Sequence, residues 1–175
     1  KVRFRQGLPE KIGGWQRISL NTFLGVCRSL FSWSTLGGLR LTGVGTSLKF
    51  YVEQGAAYYD ITPVRATESL IDPFETTAGS SIVEVTDTAG GYIDGDFVTF
   101  SGATAVGGIS ATLLNAEYEI TLSGTNTYTI DVGVAATSSA TGGGTVAAEY
   151  QINIGFAFVA PLFGWGAGAW GSGTW

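Results

Sequence analysis

The sequence predicts an all-β fold: a propeller-blade-like antiparallel sheet carrying an inserted small β-barrel or sandwich module. Three observations predict it. Short runs alternate apolar and polar residues with a period of two, as a half-buried strand requires. Thr, Val, Ile and aromatic residues fill those runs, and these side chains suit a pleated surface. The 27 glycines of the 175-residue chain are spread between the runs, where turns and bulges use them. Helix signals are nearly absent.

VRFR (2–5) opens the chain as a first alternating run. Four more follow: VCRSLFSW (26–33), LRLTGVG (39–45), SLKFYVE (47–53) and AYYDIT (57–62). Leu36-Gly37-Gly38, Gly45-Thr46 and Gln54-Gly55-Ala56 supply the turns between them. Four short antiparallel strands in a row make one blade of a propeller or one sheet of a sandwich. A lone blade leaves apolar faces that need neighbours.

A second unit begins near Ala66, where positive charge stops. Residues 1–65 hold nine basic groups against three acidic ones, a net of +6; residues 66–175 hold eleven acids and no base, a net of −11. Such asymmetry predicts two units in different surroundings. DPFETTAGSS (72–81) reads as a polar connector. Strands are expected at SIVEVTD (81–87), DFVTFSG (96–102), EYEITLS (117–123), TYTIDV (127–132) and TVAAEYQINIGF (145–156). TSSATGGGT (137–145) reads as a link between two of them. The expected organisation is a β body over 1–65, an inserted acidic β module over 66–154, and a Gly/Trp-rich return to the body over 155–175.

The chain is 45% hydrophobic and 13% charged, with a mean hydropathy of +0.25. That composition predicts extensive burial against partners. The absence of Met, even at position 1, and an end within a Gly/Trp rhythm lead to the expectation of a longer polypeptide. No apolar run approaches the ~20 residues of a membrane-spanning helix, so no membrane span is expected. The single Cys27 cannot form an internal disulfide and reads as a buried, inert thiol in an alternating run.

The chain contains no His, which removes Ser–His–Asp and Cys–His schemes and most zinc sites. No phosphate-binding loop occurs, because GGLRLTGVG is flanked by strand residues on both sides. Asp94 and Asp96 flank Gly95, as a turn opening a strand does; calcium binding would need more oxygen ligands. Glu117 and Glu119 share a strand face and read as solvated alternation rather than as a glycosidase pair. No enzymatic activity, cofactor or metal is expected. Glu84, Asp87, Asp94, Asp96, Glu117 and Glu119 are the candidate acidic surface. Arg3, Arg5, Lys11 and Arg17, interleaved with Phe4 and Trp15, form a basic N-terminal cluster that reads as a solvated strand face or as salt bridges to a partner subunit, with nucleic-acid contact as the lesser alternative. Trp165, Trp170 and Trp175, spaced by five among glycines, suit packing on further chain, an assembly contact or a glycan platform. Arg3, Arg5, Lys11, Trp15 and these three tryptophans are the candidate interface residues.

GLPEKIGGW (7–15), TFLGVCRSLFSW (22–33), GVGTSLKFYVEQG (43–55) and YYDITPVR (58–65) together resemble the opening of tail or neck structural proteins of tailed bacteriophages. GDFVTFSGATAVGGI (95–109) and NAEYEITLSGTNTYTID (115–131) resemble a small β-module inserted in such proteins, and GWGAGAWG (164–171) is similar to the segment that returns to their main body. The resemblance implies a tail nozzle or hub component located in the virion. It implies a cyclic homo-oligomer beneath portal and adaptor proteins, carrying tail fibres and continuing the DNA channel. An acidic insert lining that channel would let DNA slide rather than stick. A tail-fibre-like adhesin binding a host glycan is the alternative reading.

Overall fold

A computed structural model describes residues 2–11 and 20–154. The architecture is all-β, built from antiparallel sheets, with a single short helix among the described residues. No helix among them is long and apolar enough to cross a membrane.

The first element is a two-stranded hairpin, β1 (Val2–Arg5) with β2 (Leu8–Lys11). Gln6 and Gly7 both take positive φ in its turn, 53° and 79°. The alternation of VRFR identifies β1, whereas Pro9 argues against a strand at β2. A two-stranded ribbon has only edges, and there a residue without an N–H is tolerated.

Next comes a four-stranded meander: β3 (Cys27–Ser34), β4 (Arg40–Thr46), β5 (Phe50–Gln54) and β6 (Ala57–Asp60), in that spatial order. The expected blade-like sheet is present, with one turn displaced. The β4–β5 turn falls at Ser47-Leu48 rather than Gly45-Thr46. Thr46 Oγ1 accepts the N–H groups of Leu48 (3.1 Å) and Lys49 (2.8 Å), so a threonine hydroxyl closes this turn. Gly45 stays in the strand, opposite Ser29 and Phe50.

Residues 64–151 form a sandwich of two sheets, not a closed barrel. The first runs β11 (Glu117–Glu119), β10 (Phe97–Ser101), β15 (Thr145–Gln151), β7 (Val64–Ile71). The second runs β12 (Thr121–Leu122), β13 (Thr127–Asp131), β9 (Ile82–Thr86), β8 (Phe74–Thr76), β14 (Ala140–Gly142). Period-two alternation aims one side of each strand inward. In β15, Val146, Ala148 and Tyr150 are buried while Thr145, Ala147 and Glu149 are exposed. Phe74, Val83, Val85, Val98, Tyr128 and Tyr150 are completely buried in the shared core. Burying each such side chain contributes ~1.5–3 kcal/mol, against the conformational entropy of ordering it. Phe74 meets Phe100 edge to face at 5.0 Å.

Three elements lie where the sequence reads as loop. β8 sits inside the polar connector and β14 inside the Gly/Ser/Thr link, and the two pair with each other over three residues. Thr76 Oγ1 contacts both the carbonyl and the N–H of Ala140, at 3.1 Å each, so a tertiary contact stitches two otherwise weak segments into one ladder. A single helical turn, α1 (Ala111–Leu114), starts at Ser110, whose hydroxyl accepts from the N–H of Leu113, and buries Leu114.

Candidate assembly surface and its anchor

The two faces of the β3–β6 sheet differ. Opposed residues share a face, so the register sorts them. Leu30, Val44, Tyr51 and Asp60 lie on one face. The segment preceding β3 covers part of it: the Phe23 ring packs on Tyr51 and Tyr58 at 6.0 and 5.1 Å, and Tyr51 Oη accepts from the N–H of Leu24. Val44 and Tyr51 are accordingly buried.

Among the described residues the opposite face is open. One row reads Phe31, Gly43, Val52, Tyr59 across all four strands; the next reads Ser29, Gly45, Phe50. Phe31 is 71% exposed, Tyr59 55% and Phe50 42%. The glycines of β4 set the shape of this face. A Cβ on Gly43 would stand 3.3 Å from the Trp33 ring, and one on Gly45 would stand 2.3 Å from Ser29 Oγ and 3.6 Å from the Phe50 ring. Without those Cβ atoms, Trp33 and Phe50 lie down over β4, and Phe31 stacks on Trp33 at 5.9 Å. The product is a flat aromatic surface bounded by β3, an edge strand exposed along its whole length. An uncovered apolar face beside an open strand edge marks an interaction surface. Cys27 lies at the start of this edge and is exposed, which corrects the expected buried thiol: nothing among the described residues packs over that end of β3.

Lys49 anchors this sheet to the sandwich. Its side chain is fully buried. The ammonium donates to Asp60 Oδ2 (2.8 Å), to Gln151 Oε1 (2.6 Å) and to Glu117 Oε1. Three donors meet three acceptors, one from its own sheet and two from the sandwich. Its Nζ also stands 4.7 Å over the Phe97 ring. Phe97 points to the outer side of its sheet, where Thr99 is exposed, and is buried because Lys49 closes over it. Burial pushes the Lys49 pKa down, but hydrogen bonds to Asp60 and Glu117 outweigh burial and hold it above the ordinary value. Burial pushes Asp60 up, and hydrogen bonds from Lys49 and Thr62 outweigh this and hold it low. The ion pair is therefore charged through the neutral range. Backbone bonds run alongside: Ile154 N–H donates to Leu48 O, and Ile152 N–H to Pro63 O.

The candidate acidic surface divides. Asp87 and Asp96 are buried, which corrects their expected place on a surface. Arg65 holds Asp96 through two hydrogen bonds, Nε at 2.6 Å and Nη2 at 3.2 Å, and the Ile93 and Asn153 N–H groups add two more. Asp87 Oδ2 accepts from Tyr150 Oη (2.7 Å), and Tyr128 Oη lies 3.0 Å from Tyr150 Oη. Burial drives both phenol pKa values far up, so both remain protonated donors. Glu117 is engaged by Lys49. Asp94 is exposed and accepts from the Leu122 N–H, and Glu119 is exposed. Glu84 is half-buried directly opposite Glu75.

Arg3 and Arg5 are exposed on the N-terminal hairpin, and the Lys11 backbone pairs with Val2. Trp15, Arg17, Trp165, Trp170 and Trp175 lie outside the described residues. Among the described residues no group of three or more His, Cys, Asp or Glu converges as a metal site would require. Two shallow depressions on the sandwich are lined by Thr, Ser and Glu side chains, with Ile82 in one and Ala147 and Ala148 in the other. Sequence reasoning missed Lys49 and the Phe31/Trp33/Phe50/Tyr59 face. A signal existed for the latter: Leu30-Phe31 places two large apolar residues in succession, hence on opposite faces, and both then need cover.

No family model and no curated protein matches the chain. A solved structure titled "Phage phi92 endosialidase" is similar over 74% of this chain and 18% of that one, at 18% identity and a TM-score of 0.41. The chain spans less than a fifth of that structure's length.

Proposed function

We propose that this chain is a virion structural protein of a phage tail, of nozzle or hub type, without enzymatic activity of its own. It works by assembly: it joins a ring of copies that continues the DNA channel and holds neighbouring tail proteins. The supporting observation is the contrast between a sandwich with a complete core and an adjacent sheet whose aromatic face and edge strand remain open among the described residues. Obligate assemblies bury such faces, and cyclic closure removes free strand edges. The resemblance of residues 7–65 to the opening of nozzle and hub proteins supports the same reading.

The exposed, stacked Phe31–Trp33 pair favours one second reading, a tail-fibre-like adhesin on which sugar rings stack. Cryo-electron microscopy of intact virions separates the two. Under the nozzle or hub reading, copies form a ring below the portal with the β3–β6 sheets between neighbours. Density confined to distal fibres, or absent from particles, overturns that reading.

A further inference from the structure

We infer that copies of this chain join strand to strand: β3 of one copy pairs antiparallel with β6 of the next, and Phe31 lies directly opposite Tyr59. The inference rests on the assembly reading above and gives that assembly a register. Its first support is the phase of the hydrogen bonds. In an antiparallel ladder, bonded pairs alternate with unbonded ones. The Thr46 N–H donates to Lys49 O at 2.9 Å, so Val44 and Thr42 also bond to β5. Gly45, Gly43 and Leu41 therefore bond to Ser29, Phe31 and Trp33, in phase with the bond from the Thr35 N–H to Leu39 O. The backbone groups of Leu30, Ser32 and Ser34 then point away from the sheet. At the other edge, the Ile61 N–H donates to Phe50 O at 3.0 Å, so Tyr59 and Ala57 are the bonded residues of β6. The backbone groups of Tyr58 and Asp60 point outward. Among the described residues no strand pairs with either edge.

The second support is direction and face. Three antiparallel steps separate β3 from β6, so copies set side by side bring β6 against an antiparallel β3. The outward residues of both edges carry their side chains on the same face, that of Val44 and Tyr51. Direct pairing therefore keeps the aromatic rows on one side. The row Phe31, Gly43, Val52, Tyr59 runs on into Phe31 of the neighbour. The third support is that one register fits. β3 is irregular between Cys27 and Ser29, which leaves 29–34 as its regular stretch. Outward residues must meet outward residues, so the register moves in steps of two. Leu30 against Asp60 and Ser32 against Tyr58 puts all four β6 residues on that stretch. A slip of two either way runs β6 onto Arg28 or past Ser34. In the register that fits, Phe31 meets Tyr59, both exposed, and the large Trp33 meets the small Ala57. A two-fold contact through β3 would leave β6 unpaired, whereas head-to-tail pairing uses both edges and repeats into a ring.

Cysteine cross-linking of the 175-residue chain tests this, in a Cys27→Ser background. An unbonded antiparallel pair has Cα atoms about 4.5 Å apart, within disulfide range, and its diagonal neighbours, at about 7–8 Å, lie outside it. Phe31→Cys and Tyr59→Cys variants are mixed and oxidised with diamide. The expected result is at least about tenfold more covalent dimer than from either variant alone or from Trp33→Cys mixed with Tyr59→Cys. Ser32→Pro, added to the Phe31→Cys chain, removes an outward N–H and no bond of the β3–β4 ladder. It is expected to abolish the cross-link while Tyr128 stays buried. Abundant dimer from Phe31→Cys alone identifies a two-fold contact through β3 and overturns the inference. An equal yield from Trp33→Cys overturns the register. Native mass measurement of the unmodified chain separates this failure from that of the assembly reading. Oligomers without the cross-link between positions 31 and 59 overturn the strand pairing alone, and monomers at every concentration overturn both.

Discussion

The β3–β6 sheet and the 64–151 sandwich are made from the same materials: antiparallel strands rich in Val, Thr and aromatics, joined by glycine turns. In the sandwich, Phe74 has no exposed surface; in the sheet, Phe31 keeps 71% of its own. Hydrophobicity does not separate them. The sandwich has a second layer in register with the first, so each inward side chain meets a partner. Among the described residues, the sheet has the Phe23 segment and the Lys49 contacts with the sandwich on one face, and nothing comparable on the other. A core is a property of two opposed layers, and a sheet that lacks one is half of an interface.

The sharpest test of this contrast exchanges like for like. Phe74→Ala is expected to cost about 3–5 kcal/mol of the sandwich's unfolding free energy, because the cavity cannot collapse between two sheets. Phe31→Ala is expected to leave the same transition within about 0.5 kcal/mol, since Phe31 is 71% exposed on the β3–β6 sheet and is not part of the sandwich core. Chemical denaturation followed by the buried Tyr128 and Tyr150 measures both, and equal losses would erase the distinction.

Lys49 joins the two regions, so its loss should uncouple them. Lys49→Met is expected to cost about 2 kcal/mol: less than a fully buried pair, because Asp60 and Glu117 keep roughly 30% of their side-chain surface and water relieves their charge. Hydrogen exchange should then show the β5 and β6 amides opening separately from those of β15, whereas in the unmodified chain they share the slower rate.

Acid should act on the same joint more weakly. The Asp60 pKa is lowered in the folded chain, so its contribution is present above the ordinary carboxylate value and is lost as pH falls through the lowered one. The Lys49 pKa is raised, so its contribution is complete below the ordinary lysine value and is lost as pH rises through the raised one. The joint is therefore expected to hold between about pH 4 and pH 10. Below that window the sheet should loosen before the sandwich core does, and a single cooperative acid transition in exchange-detected NMR would contradict this order.

The smallest expected effect lies on the sandwich's outer face. Glu75 and Glu84 oppose each other on adjacent strands, and residues 66–175 hold no basic side chain. Glu84→Lys is expected to stabilise the sandwich by about 0.5 kcal/mol, less in high salt, by turning a repulsive cross-strand pair into an attractive one.

The strands with clean alternation, such as TYTID and TVAAEYQ, were legible in the sequence because their inward positions are all apolar. β8 and β14 were not, since three-residue strands are decided by what they meet, here the Thr76 hydroxyl at Ala140. VRATESLI of β7 was hidden because two of its three inward positions, Ala66 and Glu68, are small or polar, which leaves Leu70 alone to mark the inner side. Lys49 was illegible for a related reason. A lysine in an alternating run reads as a solvated face, and its partners lie 11, 68 and 102 positions away. Asp87 and Asp96 misled in the same way: an acid beside a turn reads as exposed until Tyr150 or Arg65 arrives from a distant strand.

The pairing of β7 with β15 sets a timetable for synthesis. Val64 pairs with Gln151, so the sandwich sheet cannot close until the last of its strands has left the ribosome. The hairpins of β3 to β6 need only their neighbours and are complete once Asp60 emerges. At ordinary translation speeds the aromatic sheet then waits roughly 5–20 s before β15 appears, and the anchoring partner Gln151 arrives with that strand. During that interval the side of the sheet that carries Lys49 still lacks Gln151, so it is there that neighbouring nascent chains on one message are most exposed to mispairing. Slowing translation between codons 60 and 151 should therefore lower the soluble yield, whereas slowing it after codon 154 should not.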